Sequence, residues 1–95
     1  MAEEIYSVVI QNSAKSDLKK VKTSNLKGEF LRLVNTLKED PYKQSDGFEK
    51  LFPRQAGFYS RRMNIQHRVV YKIDDEKKIV TIYSAWTHYE KGNLP

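Results

Sequence analysis

The sequence contains no cysteine and no long apolar run, and each absence excludes a class of protein. Without cysteine, the chain cannot form a disulfide, a thiolate metal site or a cysteine nucleophile. No apolar stretch approaches the roughly 20 residues that a membrane helix needs. Residues 1–4 are acidic where a signal peptide requires positive charge, so we expect a cytoplasmic protein that makes no contact with membranes.

Acidic residues are also too few to balance the basic ones. The chain carries 17 Lys and Arg against 12 Asp and Glu, a formal net charge of +5. This balance suits an acidic partner such as nucleic acid, but it is equally typical of a basic surface with no polyanion target. With 95 residues, the chain can bury one modest core, so we expect a single domain over residues 1–95, in which residues 90–95 form a frayed tail.

Two helices are predicted before the main strands. Leu18 and Val21, three residues apart, mark a short first helix that a side chain at 12–13 can cap. A second helix ends at Asp40-Pro41, because the residue before a proline is pushed out of the helical region. Its apolar residues recur at spacings of three and four and so share one face: Leu26, Phe30, Leu33, Val34 and Leu37.

Runs of β-branched and aromatic residues predict the strands, at 5–10, 57–63, 67–74 and 79–86, with a further short element at 48–52. The unbroken Val69-Val70-Tyr71 run predicts burial on both faces of the sheet. The order of strand, helix, helix and then a three-stranded meander predicts an α+β fold. We expect two N-terminal helices packed on a small, mainly antiparallel sheet of four to five strands, with the other sheet face open and lined by arginines.

The residue types around the predicted meander suit metal-free cleavage of RNA. Such cleavage needs a base for the 2′-hydroxyl proton, an acid for the leaving oxygen and fixed cations for the charge that grows on the phosphate. Glu49 is a candidate base and His88 a candidate acid. The candidate phosphate contacts are Arg61, Arg62 and Arg68. This chemistry requires no metal and no other cofactor.

Each of these residues also has an ordinary structural interpretation. Glu49 can be a solvated charge in a polar loop, and His88 can be a hydrogen-bonded residue at the end of a strand. Neighbouring residues of a strand point to opposite faces, so at least one of Arg61 and Arg62 is expected to miss any shared site. The residue pattern alone therefore predicts a basic α+β domain and leaves RNA binding open.

Three segments of the chain resemble the signature of the YoeB/Txe toxins, a branch of the RelE superfamily of type II toxin–antitoxin modules. They are Gly57-Phe58-Tyr59-Ser60-Arg61-Arg62, His67-Arg68-Val69-Val70-Tyr71 and His88-Tyr89, with Glu49 and Leu51 fitting the same pattern upstream. The resemblance is specific over residues 47–89 and rests on element order over residues 1–46. The chain departs from the usual pattern at Lys50 and Phe52, where members of the family carry proline and lysine.

The resemblance implies a RelE-like fold and a ribosome-dependent mRNA endonuclease, an mRNA interferase that cuts message in the ribosomal A site and inhibits translation. It implies roles for six residues: Glu49 as general base, His88 as general acid, Arg68 as the phosphate-stabilising cation, Tyr89 as an orienting residue, and Arg61 and Arg62 as contacts to RNA or the ribosome. Lys50, although it departs from the pattern, is a further candidate contact, because it can partly replace the displaced lysine.

The resemblance also implies partners. It predicts a YefM/Axe-like antitoxin whose acidic, partly disordered segment folds over the basic groove, together with the ribosome and mRNA. It further predicts contact with operator DNA only through the antitoxin complex, and it is compatible with a homodimer. Two alternatives remain open: a ParE-like toxin that poisons DNA gyrase without nuclease activity, and a non-catalytic RNA- or protein-binding module.

Overall fold

The computed structural model describes residues 5–64 and 67–87, which form two helices and one five-stranded sheet. The elements are β1 (Ser7–Ile10), α1 (Lys15–Thr23), α2 (Lys27–Glu39), β2 (Glu49–Lys50), β3 (Phe58–Arg62), β4 (Arg68–Asp74) and β5 (Ile79–Thr87). No helix in these two ranges is long and apolar enough to cross a membrane. The prediction of a frayed tail at 90–95 lies outside the described residues.

Helix α2 has the apolar face and the C-terminal end that its sequence predicts. It buries Phe30, Leu33 and Leu37 against the sheet, which confirms the predicted apolar face. Asp40 follows it in an extended conformation, with φ −160° and ψ 93°, as the next residue, Pro41, requires. The helix is therefore held by burial of one face and ended by its own sequence.

The start of α1 is joined to β5 rather than capped by a neighbouring side chain. The predicted cap at residues 12–13 is wrong, because a 3₁₀ turn leads into the helix and Ala14 occupies the N-cap position without a side-chain hydrogen bond. The Ser13 hydroxyl donates instead to the Tyr83 carbonyl at 3.2 Å. The Asp17 carboxylate accepts from the Ala85 N–H at 3.1 Å, in the part of β5 where its pairing with β4 changes register.

The sheet has the strand order β1-β5-β4-β3-β2. The predicted meander of β3, β4 and β5 is confirmed, and β2 adds an antiparallel edge strand beside β3. The sheet is mainly antiparallel, as predicted, but the order of strands does not show that β1 pairs with β5 in parallel, from Ser7 with Ile79 to Ile10 with Ile82. Helices α1 and α2 make the crossover that a parallel pair requires, and the sheet is therefore mixed.

The main core lies between the helices and one face of the sheet. Val69 and Tyr71 of β4 are buried in it, and Val70 is buried on the other face in a smaller cluster with Leu51 and Phe58. The predicted burial of this run on both faces is therefore confirmed.

Asp75, in the turn between β4 and β5, connects three distant parts of the chain. Its carboxylate accepts hydrogen bonds of 2.7 Å from the hydroxyl groups of Tyr6 and Tyr42. Both hydrogen bonds lower the pKa of Asp75, and the one from Tyr42 has the larger effect. The hydrogen bond to Asp75 is the main cause that raises the pKa of Tyr6. The pKa of Tyr42 is raised mainly by burial and, to a smaller extent, by its hydrogen bond to Asp75. The carboxylate is thus favoured in its charged form by the fold.

Candidate active site

A group of polar side chains lies on the open face of the sheet, at the end where β4 begins. Glu49 pairs with Ser60 across β2 and β3, and Arg62 pairs with Arg68 across β3 and β4. Residues two apart on a strand share a face, so all four side chains project from the same side. The sheet therefore brings together the predicted base, Glu49, and the predicted phosphate-stabilising cation, Arg68.

Arg68 is held in place by its neighbours on this face. Its Nη1 donates to the Ser60 hydroxyl at 3.0 Å and makes a longer contact of 3.5 Å with the Gly47 carbonyl. The Glu49 carboxylate lies 3.8 Å from the same nitrogen, which is an ion pair but too long for a good hydrogen bond. The Glu49 side chain is 46% exposed, so its oxygens remain accessible to a substrate.

Arg62 places a second cation directly opposite Arg68. Two like charges at a cross-strand position repel each other, which makes this end of the sheet favourable for an anion. The Arg62 backbone N–H donates to the Asp46 carbonyl at 2.7 Å, and its side chain runs past Gly47. A Cβ at Gly47 would lie 3.3 Å from the Arg62 Nε, and the φ of +65° also favours glycine there.

Arg61 points to the opposite face and is fully buried. Its Nη1 donates to the Ser45 carbonyl at 2.9 Å and its Nη2 to the Pro41 carbonyl at 3.0 Å. The guanidinium carbon also lies 4.8 Å from the centre of the Phe48 ring. The strand alternation thus separates the two neighbouring arginines as expected, and Arg61 contacts the loop between α2 and β2 rather than solvent.

Lys50 also lies on the face away from Glu49. It pairs with Tyr59 across β2 and β3, and its Nζ lies 5.2 Å from the centre of the Tyr59 ring. The structure therefore does not bring Lys50 into the group formed by Glu49 and Arg68.

His88 and Tyr89, the predicted acid and orienting residue, lie outside the described residues. The strand that precedes them ends at Thr87, which pairs with Arg68. His67 has a structural position, because its Nδ1 lies 3.0 Å from the Trp86 carbonyl and its ring stacks on the indole at 4.2 Å.

The sequence did not single out Ser60 and Gly47 as partners of Arg68. The alternation of side chains along a strand could have predicted that Ser60 lies on the same sheet face as Arg62. The position of the Gly47 carbonyl beside Arg68 depends instead on the folded loop. A depression on the same sheet face lies away from this group, beside the β4–β5 turn, and is lined by residues of β4, β5 and that turn. Within residues 5–64 and 67–87, no group of three His, Asp or Glu side chains could hold a metal ion.

Comparison with known proteins identifies the family. The family model described as "YoeB-like toxin of bacterial type II toxin-antitoxin system" matches residues 11–89. The chain belongs to this family. The YoeB toxin of Synechocystis sp. is 35% identical over 79 residues, which cover 80% of this toxin and 79% of that one. The YoeB toxin of Mycobacterium bovis is 34% identical over 58 residues, which cover 61% of this toxin and 66% of that one.

Solved structures show the same architecture. The Staphylococcus aureus YoeB dimer superimposes with a TM-score of 0.76 at 26% identity, covering 88% of this toxin and 98% of that chain. A YoeB/ParE toxin from Agrobacterium tumefaciens gives a TM-score of 0.78 at 22% identity, covering 87% and 99%, and so shares the fold. The resemblance predicted from the sequence is confirmed, and the sheet covered by two helices is the RelE-like fold.

Proposed function

We propose that this toxin is a ribosome-dependent mRNA endonuclease that cuts message in the ribosomal A site by metal-independent acid–base chemistry. The observation that carries the proposal is the placement of Glu49 3.8 Å from an Arg68 that Ser60 holds in position, on an open sheet face. A base and a fixed cation at one point are what transfer of a phosphoryl group to a neighbouring hydroxyl requires.

In this mechanism Glu49 removes the proton of a ribose 2′-hydroxyl, whose oxygen then attacks the adjacent phosphorus. Arg68 stabilises the negative charge that grows on the phosphate oxygens. The bond to the 5′-oxygen breaks, and His88 supplies the proton that this leaving oxygen takes, while Tyr89 orients the reacting groups. The products are a 2′,3′-cyclic phosphate and a free 5′-hydroxyl.

Arg62 fits a different part of the same proposal. Its side chain is exposed and lies beside Arg68, so it can contact a neighbouring phosphate of the message or the ribosome. Contacts of this type contribute affinity that falls steeply with salt. Arg61 and Lys50 were predicted to share this role, but burial and the opposite sheet face support it less for them.

An antitoxin is the proposed protein partner. Solved relatives include a YoeB–YefM complex from Staphylococcus aureus, which has a TM-score of 0.73 at 28% identity. The pair of arginines on the open face suits an acidic antitoxin segment that folds on binding. A homodimer is also proposed, because a similar solved structure is the S. aureus YoeB dimer. Contact with operator DNA is proposed only through the antitoxin complex.

The test is induction of the wild type and of single variants in growing cells, with primer extension on a reporter mRNA. Glu49→Gln and His88→Ala should each abolish cleavage within translated codons and relieve growth arrest. Glu76→Gln makes the same charge change at an exposed turn position and should leave both effects intact. Growth arrest with intact message would overturn the proposal and favour a gyrase poison or a binding module.

A further inference from the structure

The loop that connects α2 to β2 ends directly at Glu49, the first residue of the short edge strand of the sheet. Strand β2 is two residues long and makes two cross-strand pairs, Glu49 with Ser60 and Lys50 with Tyr59. Among residues 5–64 and 67–87, the side chain that pairs with the Glu49 carboxylate is Arg68, at 3.8 Å, which is too long for a good hydrogen bond. After Glu49 the chain is held by the buried Leu51, whose N–H donates to the Phe58 carbonyl at 2.9 Å. Before Glu49, its position depends on how the preceding loop, residues 40–48, is held.

Arg61 contacts this loop at three points. Its two terminal nitrogens donate to the carbonyls of Pro41, at the start of the loop, and Ser45, near its middle. Its guanidinium also lies over the ring of Phe48, which directly precedes Glu49 in the chain. The Phe48 ring is stacked in turn on Tyr59, at 5.5 Å and an interplanar angle of 9°.

Beyond the loop, the guanidinium also interacts with the Tyr71 hydroxyl, which donates to the same Pro41 carbonyl. Among residues 5–64 and 67–87, no carboxylate forms an ion pair with it, its Nε has no hydrogen-bond partner, and it is fully buried. Burying a cation costs free energy that only its hydrogen bonds and ring contact offset here. Arg32 of α2 reaches the same loop through Asp46, but this ion pair is half exposed and contributes less.

We infer that Arg61 is a positioning residue for Glu49. It fixes the 40–48 loop from the sheet face opposite Glu49 and makes no contact with RNA. The inference rests on the proposed function in one respect, since it takes Glu49 as the base. It divides the Arg61-Arg62 pair between two tasks, one in positioning the loop and one in holding phosphate.

Arg61→Met is a suitable variant because the fold should tolerate it. Each carbonyl that Arg61 contacts has a second donor, the Tyr71 hydroxyl for Pro41 at 3.0 Å and the Phe48 N–H for Ser45 at 3.1 Å. Loss of the guanidinium therefore leaves neither carbonyl unsatisfied, and it also removes a buried charge. Arg62→Gln is the matched control on the open face.

The first measurement is hydrogen exchange of the backbone amides across residues 42–50. Arg61→Met should speed exchange there by about tenfold or more, and Arg61→Lys by less. Arg62→Gln, whose side chain runs past Gly47 without a hydrogen bond to it, should change exchange less than Arg61→Met does. Unchanged exchange in Arg61→Met would overturn the inference. If Arg61→Met fails to fold, Tyr71→Phe removes one donor to the same loop and should speed its exchange in the same direction.

The second measurement is single-turnover cleavage on mRNA-programmed ribosomes at several salt concentrations. Arg61→Met should lower the maximal rate by roughly 10- to 100-fold, because small displacements of a catalytic group are that costly. Its ribosome affinity and salt dependence should match the wild type. Arg62→Gln should instead weaken binding and reduce the salt slope by about 0.7.

The outcomes separate this inference from the proposed function. A reduced salt slope in Arg61→Met would show that Arg61 contacts phosphate, and faster loop exchange with an unchanged rate would show that the loop does not position Glu49. Either result would overturn the inference. Absence of cleavage by the wild type would instead overturn the proposed function, while the exchange experiment would still report whether Arg61 fixes the loop.

Discussion

Replacing Ser60 with alanine removes the side-chain oxygen that holds Arg68. Ser60 is fully buried, and its Oγ lies 3.0 Å from the Arg68 Nη1. A hydrogen bond to a charged group contributes about 1.5–3 kcal/mol. The Arg68 side chain is 16% exposed, so water can partly replace the hydroxyl, and we expect a loss of about 1–1.5 kcal/mol.

That loss sets the expected effect on activity. A cost of about 1–1.5 kcal/mol reduces the population of Arg68 in its observed position roughly 5- to 12-fold. If cleavage requires this position, the single-turnover rate on mRNA-programmed ribosomes should fall by the same factor in Ser60→Ala. The melting temperature should fall by about 4–8 °C for each kcal/mol of stability lost.

Ser84→Ala is the matched control for this experiment. Ser84 is also a buried serine in the sheet, but its hydroxyl has no hydrogen-bond partner among the described residues. Its removal costs no bond, so the rate should stay within about twofold and the stability should be equal or higher. Equal rates for Ser60→Ala and the wild type would refute the reasoning. So would a rate loss from Ser60→Ala that persists undiminished in an Arg68→Met background, where the bond is already absent.

Three further predictions concern stability. Asp75 has a depressed pKa in the folded state, so its contribution is present above its unfolded pKa of about 4 and is lost as the pH falls through the folded value. The free energy of unfolding in urea should therefore be larger for the wild type than for Asp75→Asn at pH 7, and this difference should disappear toward pH 2. A difference that stays constant with pH would contradict the prediction. Leu33→Ala should cost about 2–5 kcal/mol in the same assay, whereas Leu31→Ala, at a half-exposed position of the same helix, should cost less than about 0.5 kcal/mol. Asp17→Ala should cost about 1 kcal/mol and speed amide exchange at Ala85, and unchanged exchange there would show that the carboxylate does not protect that N–H.

The parts of the fold that were predicted correctly are those with a local physical cause. The apolar spacing of α2 and the proline after Asp40 define that helix without help from the rest of the chain. The meander follows from one aromatic and two β-branched runs separated by short polar segments, and the Val69-Val70-Tyr71 run indicates its own burial.

The parts that were missed depend on contacts between distant residues. Nothing within 5–10 indicates that β1 pairs in parallel with β5, because the partner of a strand is decided by the crossover. Ser13 has the chemistry of a helix cap, but the Tyr83 carbonyl takes its hydroxyl. Alternation separates Arg61 from Arg62, yet only the fold decides which of them faces the loop. For the candidate site, the sequence indicated Glu49 and Arg68 through resemblance and could not indicate the support from Ser60.

The parallel pairing of β1 with β5 has a consequence for the synthesis of the chain. Strand β5 is the central link between β1 and β4, and the bond from Asp17 to its Ala85 N–H joins residues 68 positions apart. Contacts of such long range form late, because the intervening chain must first be ordered. A nascent chain whose β5 is still inside the ribosomal exit tunnel can form α1 and α2 but cannot complete the sheet or bring Thr87 beside Arg68. During synthesis, the part of this toxin that has left the ribosome therefore lacks a complete sheet until the residues of β5 have emerged from the exit tunnel.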